Sequence, residues 1–167
     1  MTTGSSWTIR TATPQDAADI LECLREAFQP YRSAYTPGAF ADTVLSPETL
    51  DERFTTMTIL VASGPDDALL GTIAAGVGHC NGAEPVGHLR GMAVRSAAQG
   101  AGIAAHLLAS AETLLRERGC RRITLDTTAP LTRAIAFYRR HGYAATGRVQ
   151  DFYGMPLYEY ARDFPSG

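Results

Sequence analysis

Residues 99–105 read QGAGIAA, with two glycines just ahead of an apolar helical stripe. Glycine within a helix costs about 0.5–1 kcal/mol relative to alanine, so a pair at a helix mouth needs a reason. A helix N-terminus presents unpaired N–H groups and about half a positive charge, which suits a phosphate. Gln99, Gly100, Ala101, Gly102, Ile103, Ala104 and Ala105 have that placement, and no bulky side chain among the small ones would keep a phosphate from the amides. The alternative is that the small residues serve only close helix–strand packing.

Three further groups carry side chains able to do chemistry. Tyr138, in AFYRRHGY, has a phenol whose ordinary pKa of about 10 suits a proton donor, although it also falls on an apolar stripe as a core aromatic would. His88 and Arg90 lie on one face of a strand by its period of two. An imidazole with an unperturbed pKa of about 6.5 can accept a proton from an amine, and an exposed or purely structural histidine fits the same pattern. Glu84 and Asp126 are weaker candidates for that base. Tyr31, Arg32 and Tyr35, with Phe152 and Tyr153, combine aromatic rings with a cation. Such a set can hold an amine that bears a carboxylate, a ring or a peptide, or it can simply shield the core. His79, Cys80 and His88 are irregularly spaced and lack a fourth ligand, so no metal is expected.

The frame for these residues is a chain of 167 residues, 45% of them hydrophobic, which suits one domain with a full core. With 19% charged residues and a formal net charge of -2, there is no basic footprint for nucleic acid or an anionic membrane. All 15 basic residues are arginine. Cys23, Cys80 and Cys120 are few, odd in number and far apart, as expected of a reducing cytoplasmic setting. The start MTTGSSW lacks the features of a secretion signal, and no apolar run approaches the ~18 residues of a membrane span. A homodimer is left open.

The patterning predicts how these residues are carried. A strand is expected at Trp7–Arg10, then a helix opened by Thr13-Pro14-Gln15-Asp16 and carrying Ala17, Ile20, Leu21, Leu24 and Phe28 on one face. A short helix at Phe40–Leu45 and another turn of helix from Ser46 follow, with Leu50 and Phe54 facing inward. Strands at 57–62, 69–78 and 88–94 form a meander. The stripe from Ile103 to Leu115, ended by Gly119, precedes a strand at Arg122–Thr127. Leu131, Ala134, Ile135 and Tyr138 mark the next helix, and strands at 143–149 and 152–162 close the domain. The order β-α-α-β-β-β-α-β-α-β-β is a mixed α/β fold. Residues 1–6 read as a flexible end, 7–162 as the domain and 163–167 as a tail.

Residues 100–105 also match the G-x-G-x-x-G/A dinucleotide fingerprint, with Asp126 near where a ribose-binding acid belongs. RSAAQ, however, intervenes between the strand and the first glycine, and an antiparallel meander precedes the unit. QGAGIA instead fits Q/R-x-x-G-x-G/A. LRGMAVRSAAQGAGIAAHLLASAETLLRERG and LDTTAPLTRAIAFYRRHGYAATG then fall in register, and the chain resembles the GNAT superfamily of N-acetyltransferases.

That resemblance implies a GNAT-like, mostly antiparallel central sheet with helices on both faces. It implies acetyl-CoA as cosubstrate, with its pyrophosphate at residues 99–105, and direct acetyl transfer to the primary amine of a small molecule or peptide. The amides of Met92, Ala93 and Val94 would hold the pantetheine arm and thioester carbonyl, Met92 or a neighbour serving as oxyanion donor. Tyr138 would protonate the leaving thiolate, and Tyr31, Tyr35, Arg90 and Tyr153 would meet the acceptor. The chain departs from the family in two places: no glutamate stands on the strand at 88–94, and Leu131 stands where an asparagine is common. His88 is therefore the expected base. Those departures also motivate the alternative of a module that binds acyl-CoA without turning it over. No acidic cluster marks an acceptor site for a polycation, so polyamines and aminoglycosides are not favoured.

Overall fold

A computed structural model describes residues 6–79 and 84–165. The expectations for residues 1–5, Cys80, the turn residues 81–83 and the last two residues fall outside this range. The elements are β1 (Thr8–Thr11), α1 (Ala17–Phe28), α2 (Pro37–Val44), α3 (Pro47–Thr56), β2 (Thr58–Ser63), β3 (Leu69–His79), β4 (Pro85–Val94), α4 (Ile103–Glu117), β5 (Arg122–Thr127), α5 (Thr132–Arg140), β6 (Ala144–Phe152) and β7 (Met155–Asp163).

Three helices, not two, separate β1 from β2. Leu45 takes a left-handed φ of 66°, which ends α2. Ser46 then starts α3 afresh, its hydroxyl accepting the Thr49 N–H at 3.2 Å. At the entry to α1, Asp16 accepts the Thr13 N–H at 2.8 Å and binds Arg10 through both guanidinium nitrogens at 2.8 and 2.9 Å. Gly119 and Gly142 stop α4 and α5 in left-handed conformations, φ 90° and 93°.

The seven strands form one sheet in the order β1-β2-β3-β4-β5-β7-β6. Only β4 and β5 run parallel, as their crossover through α4 requires. Two buried clusters cover the two faces. One joins α4 and α5 to the sheet around Ile103, Leu107, Leu115 and Tyr138; the other joins α1 and α3 around Ile20, Leu24 and Leu50.

The closing hairpin differs from the expectation. β6 continues to Phe152, and the reversal falls at Tyr153-Gly154 with φ 51° and 89°, the pair of left-handed residues that a tight hairpin needs. Nor does the fold stop at Arg162. β7 runs to Asp163, Phe164 is buried, and its N–H donates to Arg121 O at 2.7 Å.

Candidate active site

The site begins with an irregularity in β4. Thr72 pairs with Ala93 and Ala74 with Arg90, so Gly91 and Met92 together oppose Ile73 alone. This is a β-bulge, and Gly91 makes it with φ 63°. The extra residue shifts the side-chain alternation by one. Arg90 faces α2, and Ala93 joins the α1/α3 cluster, while Met92 and Val94 turn toward the α4/α5 cluster.

At the same point β4 leaves β5. Their pairing runs from Val86↔Arg122 to Leu89↔Leu125, whereas Asp126 and Thr127 pair only with β7. The splay opens a cavity of about 580 Å³ that passes through the sheet. Ala134, Phe137 and Tyr138 border it on the α5 side, and Tyr31, Asp42, Arg53 and Arg90 on the α1–α3 side. The segment after β4 forms its rim.

That rim is built of backbone. Gly100 and Gly102 have φ 86° and 82°, and Gly102 is the N-cap of α4 with no side chain capping the helix. A Cβ at Gly100 would meet nothing within 4 Å, and one at Gly102 only the His106 ring at 3.8 Å. The glycines are therefore not there for tight packing. They supply the left-handed backbone that turns the loop, and they leave the helix mouth clear. Gln99 Nε2 ties the loop back to Val94 O at 3.4 Å.

Tyr138 is nine-tenths buried, and burial alone drives its phenol pKa well above the usual value. It thus stays protonated through the ordinary pH range while bordering the cavity. The Thr127 hydroxyl, also on the cavity wall, is buried without a hydrogen-bond partner among the described residues. Tyr35 is buried and bonds Thr128 Oγ1 at 2.6 Å.

Of the residues expected from sequence, Met92, Ala93, Val94, Gln99, Gly100, Gly102, Ile103, Ala104 and Ala105 border the cavity, as do Tyr31, Tyr35, Arg90 and Tyr138. Three do not. Ala101 lies in the rim but not on the cavity wall. Tyr153 sits in the hairpin turn, 58% exposed, with its ring over Gly38 of α2; its neighbour Phe152 faces the cavity instead. His88 stands behind the wall, its Nδ1 2.7 Å from Thr124 Oγ1 and its Nε2 3.3 Å from Asp126 Oδ2. Asp126 is the member of that pair on the wall. Arg32 stacks over the Phe40 ring at 5.3 Å and takes no part.

Arg53 and Asp42 are wall residues that sequence reasoning missed. The signal for Arg53 was its place at i+3 from Leu50, on the inward side of α3. No group of three or more potential metal ligands occurs among the described residues, and no helix there is long and apolar enough to cross a membrane.

Comparison with known proteins places this geometry. The model of the acetyltransferase (GNAT) family matches residues 18–143. The aminoglycoside N(6')-acetyltransferase type 1 of Stenotrophomonas maltophilia is 32% identical over 157 residues, 92% of this chain and 95% of that protein. Among solved structures, the PaiA N-acetyltransferase of Thermoplasma acidophilum in complex with coenzyme A superposes with a TM-score of 0.75 at 20% identity, over 95% of this chain and 99% of that one. A GNAT family acetyltransferase of Staphylococcus aureus Mu50 superposes with a TM-score of 0.76 at 16% identity, over 95% and 99% of the two chains.

Proposed function

The chain belongs to the acetyltransferase (GNAT) family, and from that premise we propose that it transfers the acetyl group of acetyl-CoA directly to the primary amine of a small acceptor. The observation that carries this reading is the through-sheet cavity at the β4/β5 splay, with an uncapped, side-chain-free helix mouth at one end and ionisable groups at the other.

Acetyl-CoA supplies an activated thioester; the residues of this chain supply binding, polarisation and proton transfer. The amides from Gly100 to Ala105 at the start of α4 receive the pyrophosphate. Backbone of Met92, Ala93 and Val94, freed from β5 by the splay, lines the path of the pantetheine arm, and the unpartnered Thr127 hydroxyl offers it one more hydrogen bond. The Met92 N–H in the bulge serves as donor to the acyl oxygen, because a preorganised backbone amide costs no reorganisation as charge develops. Tyr138 gives its proton to the leaving sulfur.

An alkylammonium has a pKa of about 10 and must lose a proton before it can attack. Asp126 is the cavity residue placed to take it, with His88 behind. The Thr124 hydroxyl donates to Gly87 O at 3.3 Å, so Nδ1–H donates to Thr124 Oγ1 and the Nε2 lone pair faces Asp126; a proton taken by Asp126 passes on to Nε2 and leaves an imidazolium beside the carboxylate. His88, the base expected from sequence, then acts through Asp126 as a positioning residue. Leu131 on the wall brings no polar contact.

The test is the thermal midpoint of the protein with acetyl-CoA or NADH, followed by release of free CoA thiol in the presence of amines. Stabilisation by acetyl-CoA and not by NADH, together with amine-dependent thiol release, is the expected result. Stabilisation with no thiol release on any amine would point to a binding module that does not turn over.

A further inference from the structure

We propose that the acceptor is a small amine that carries a carboxylate, and that the Arg53 guanidinium holds this carboxylate; this rests on the acetyl-transfer reading above. Arg53 reaches from α3 to the bulge. A Cβ on Gly91 would lie 2.8 Å from Arg53 Nη1, so the guanidinium rests against the residue that precedes Met92. Its stem lies among Ile20, Leu24 and Leu50, and it also borders the main cavity.

No carboxylate pairs with Arg53 among the described residues. Asp42, the acid whose charge reaches Arg53, pairs with Arg90 instead, with Nη2 and Oδ2 3.5 Å apart. Arg53 and Arg90 against Asp42 leave the α1–α3 wall with an excess of positive charge, which Asp126 across the splay balances. Burial foremost, and then the neighbouring Arg90, lower the Arg53 pKa to about 10 against the opposing effect of Asp42; at neutral pH it remains a cation. A half-buried guanidinium with its fork unpaired is a bidentate receptor for an oxyanion.

The opposite charge stands across the splay. Asp126 follows Leu125, where pairing of β4 with β5 ends, and it shares a sheet face with His88 and Arg90. An acceptor with its carboxylate on Arg53 and its ammonium toward Asp126 therefore spans the bulge at Gly91-Met92. A free amino acid carries such a pair of opposite charges. Tyr31, Tyr35 and Phe152 supply apolar wall for its side chain. A polycation such as an aminoglycoside would instead meet Arg53 and Arg90 with like charge.

The test uses reaction products, so that no turnover is needed. The thermal midpoint of the CoA-loaded protein is measured with each N-acetyl amino acid and with its uncharged amide. At least one acid is expected to raise the midpoint while its amide does not. Arg53→Gln is expected to weaken that acid's binding about tenfold or more, and Arg53→Lys, which keeps the charge but loses the fork, by less. Both variants should keep the wild-type stabilisation by CoA, which shows that they are folded. Acids and amides acting alike, kanamycin stabilising where every acid fails, or full acid binding in Arg53→Gln would overturn the proposal. Loss of CoA stabilisation in the wild type would overturn the acetyl-transfer reading instead, and the acid and amide series repeated without CoA would still decide the Arg53 site.

Discussion

Nε2 of His88 stands 3.3 Å from Oδ2 of Asp126, and of the two only Asp126 borders the cavity. The histidine that the strand pattern offers as a base is thus one residue removed from the cavity. Asp126→Asn is expected to lower kcat/KM about 10²-fold or more, the usual scale for loss of a positioned proton acceptor. His88→Gln should cost less and should displace the pH–rate profile, because it removes the group that shares the proton. Steady-state thiol-release kinetics from pH 6 to 9 check both. A His88→Gln enzyme with an unchanged profile would remove the histidine from the proton path.

Tyr138 combines burial with a place on the cavity wall, and its phenol is held protonated. Tyr138→Phe keeps the aromatic packing against Phe137 and Tyr143 and removes only the acid. The expected outcome is a kcat reduced about 10²-fold, with little change in the acetyl-CoA concentration needed for half-saturation. Equal turnover by the two proteins would assign Tyr138 to packing alone.

At the helix mouth, Gly102→Glu places a side chain on a residue at φ 82° and a negative charge where a phosphate is expected. Acetyl-CoA should then no longer raise the thermal midpoint. Gly100→Ala is the milder control: open space surrounds its Cβ, so it should cost about 1 kcal/mol of stability through φ alone. Full stabilisation of Gly102→Glu by acetyl-CoA would move the phosphate site elsewhere.

Acid stability should reflect the Asp16 carboxylate. Hydrogen bonds from Arg10 foremost, and then from the Thr13 N–H, hold its pKa below the usual carboxylate range. A depressed folded-state pKa contributes stability that is complete above the unfolded value of about 3.9 and is lost as pH falls through the folded value. Asp16→Asn is therefore expected to be less stable than wild type by about 1–2 kcal/mol at pH 7. The two should converge as pH falls below about 4, a difference that urea unfolding at pH 7 and pH 3 will show.

Much of this protein is legible in its sequence, because the signals are local. The boundaries of β5 fall where its apolar pattern places them, at Arg122 and Thr127, and α4 starts at Ile103, just past the two glycines. The glycine turn ahead of α4 could be read because backbone dihedral preference at Gly100 and Gly102 belongs to single residues. The register of QGAGIA with the FY block set the family before any contact was known.

What lay beyond the sequence depends on where distant segments meet. Strict alternation along β4 would put Met92 on the same face as His88 and Arg90; the bulge at Gly91-Met92 puts Ala93 there instead, and only pairing with β3 reveals it. His88 is off the wall because its ring is held between Thr124 and Asp126 of β5. Tyr153 is off the cavity wall because it is itself a turn residue of the β6–β7 hairpin. Arg53 reached the cavity because its side chain extends from α3 to Gly91 of β4, and no local pattern says which half-buried arginine will find no acid. Periodicity assigns a side chain to a face, but the cavity is made by the separation of two strands, and that separation exists only in the folded sheet.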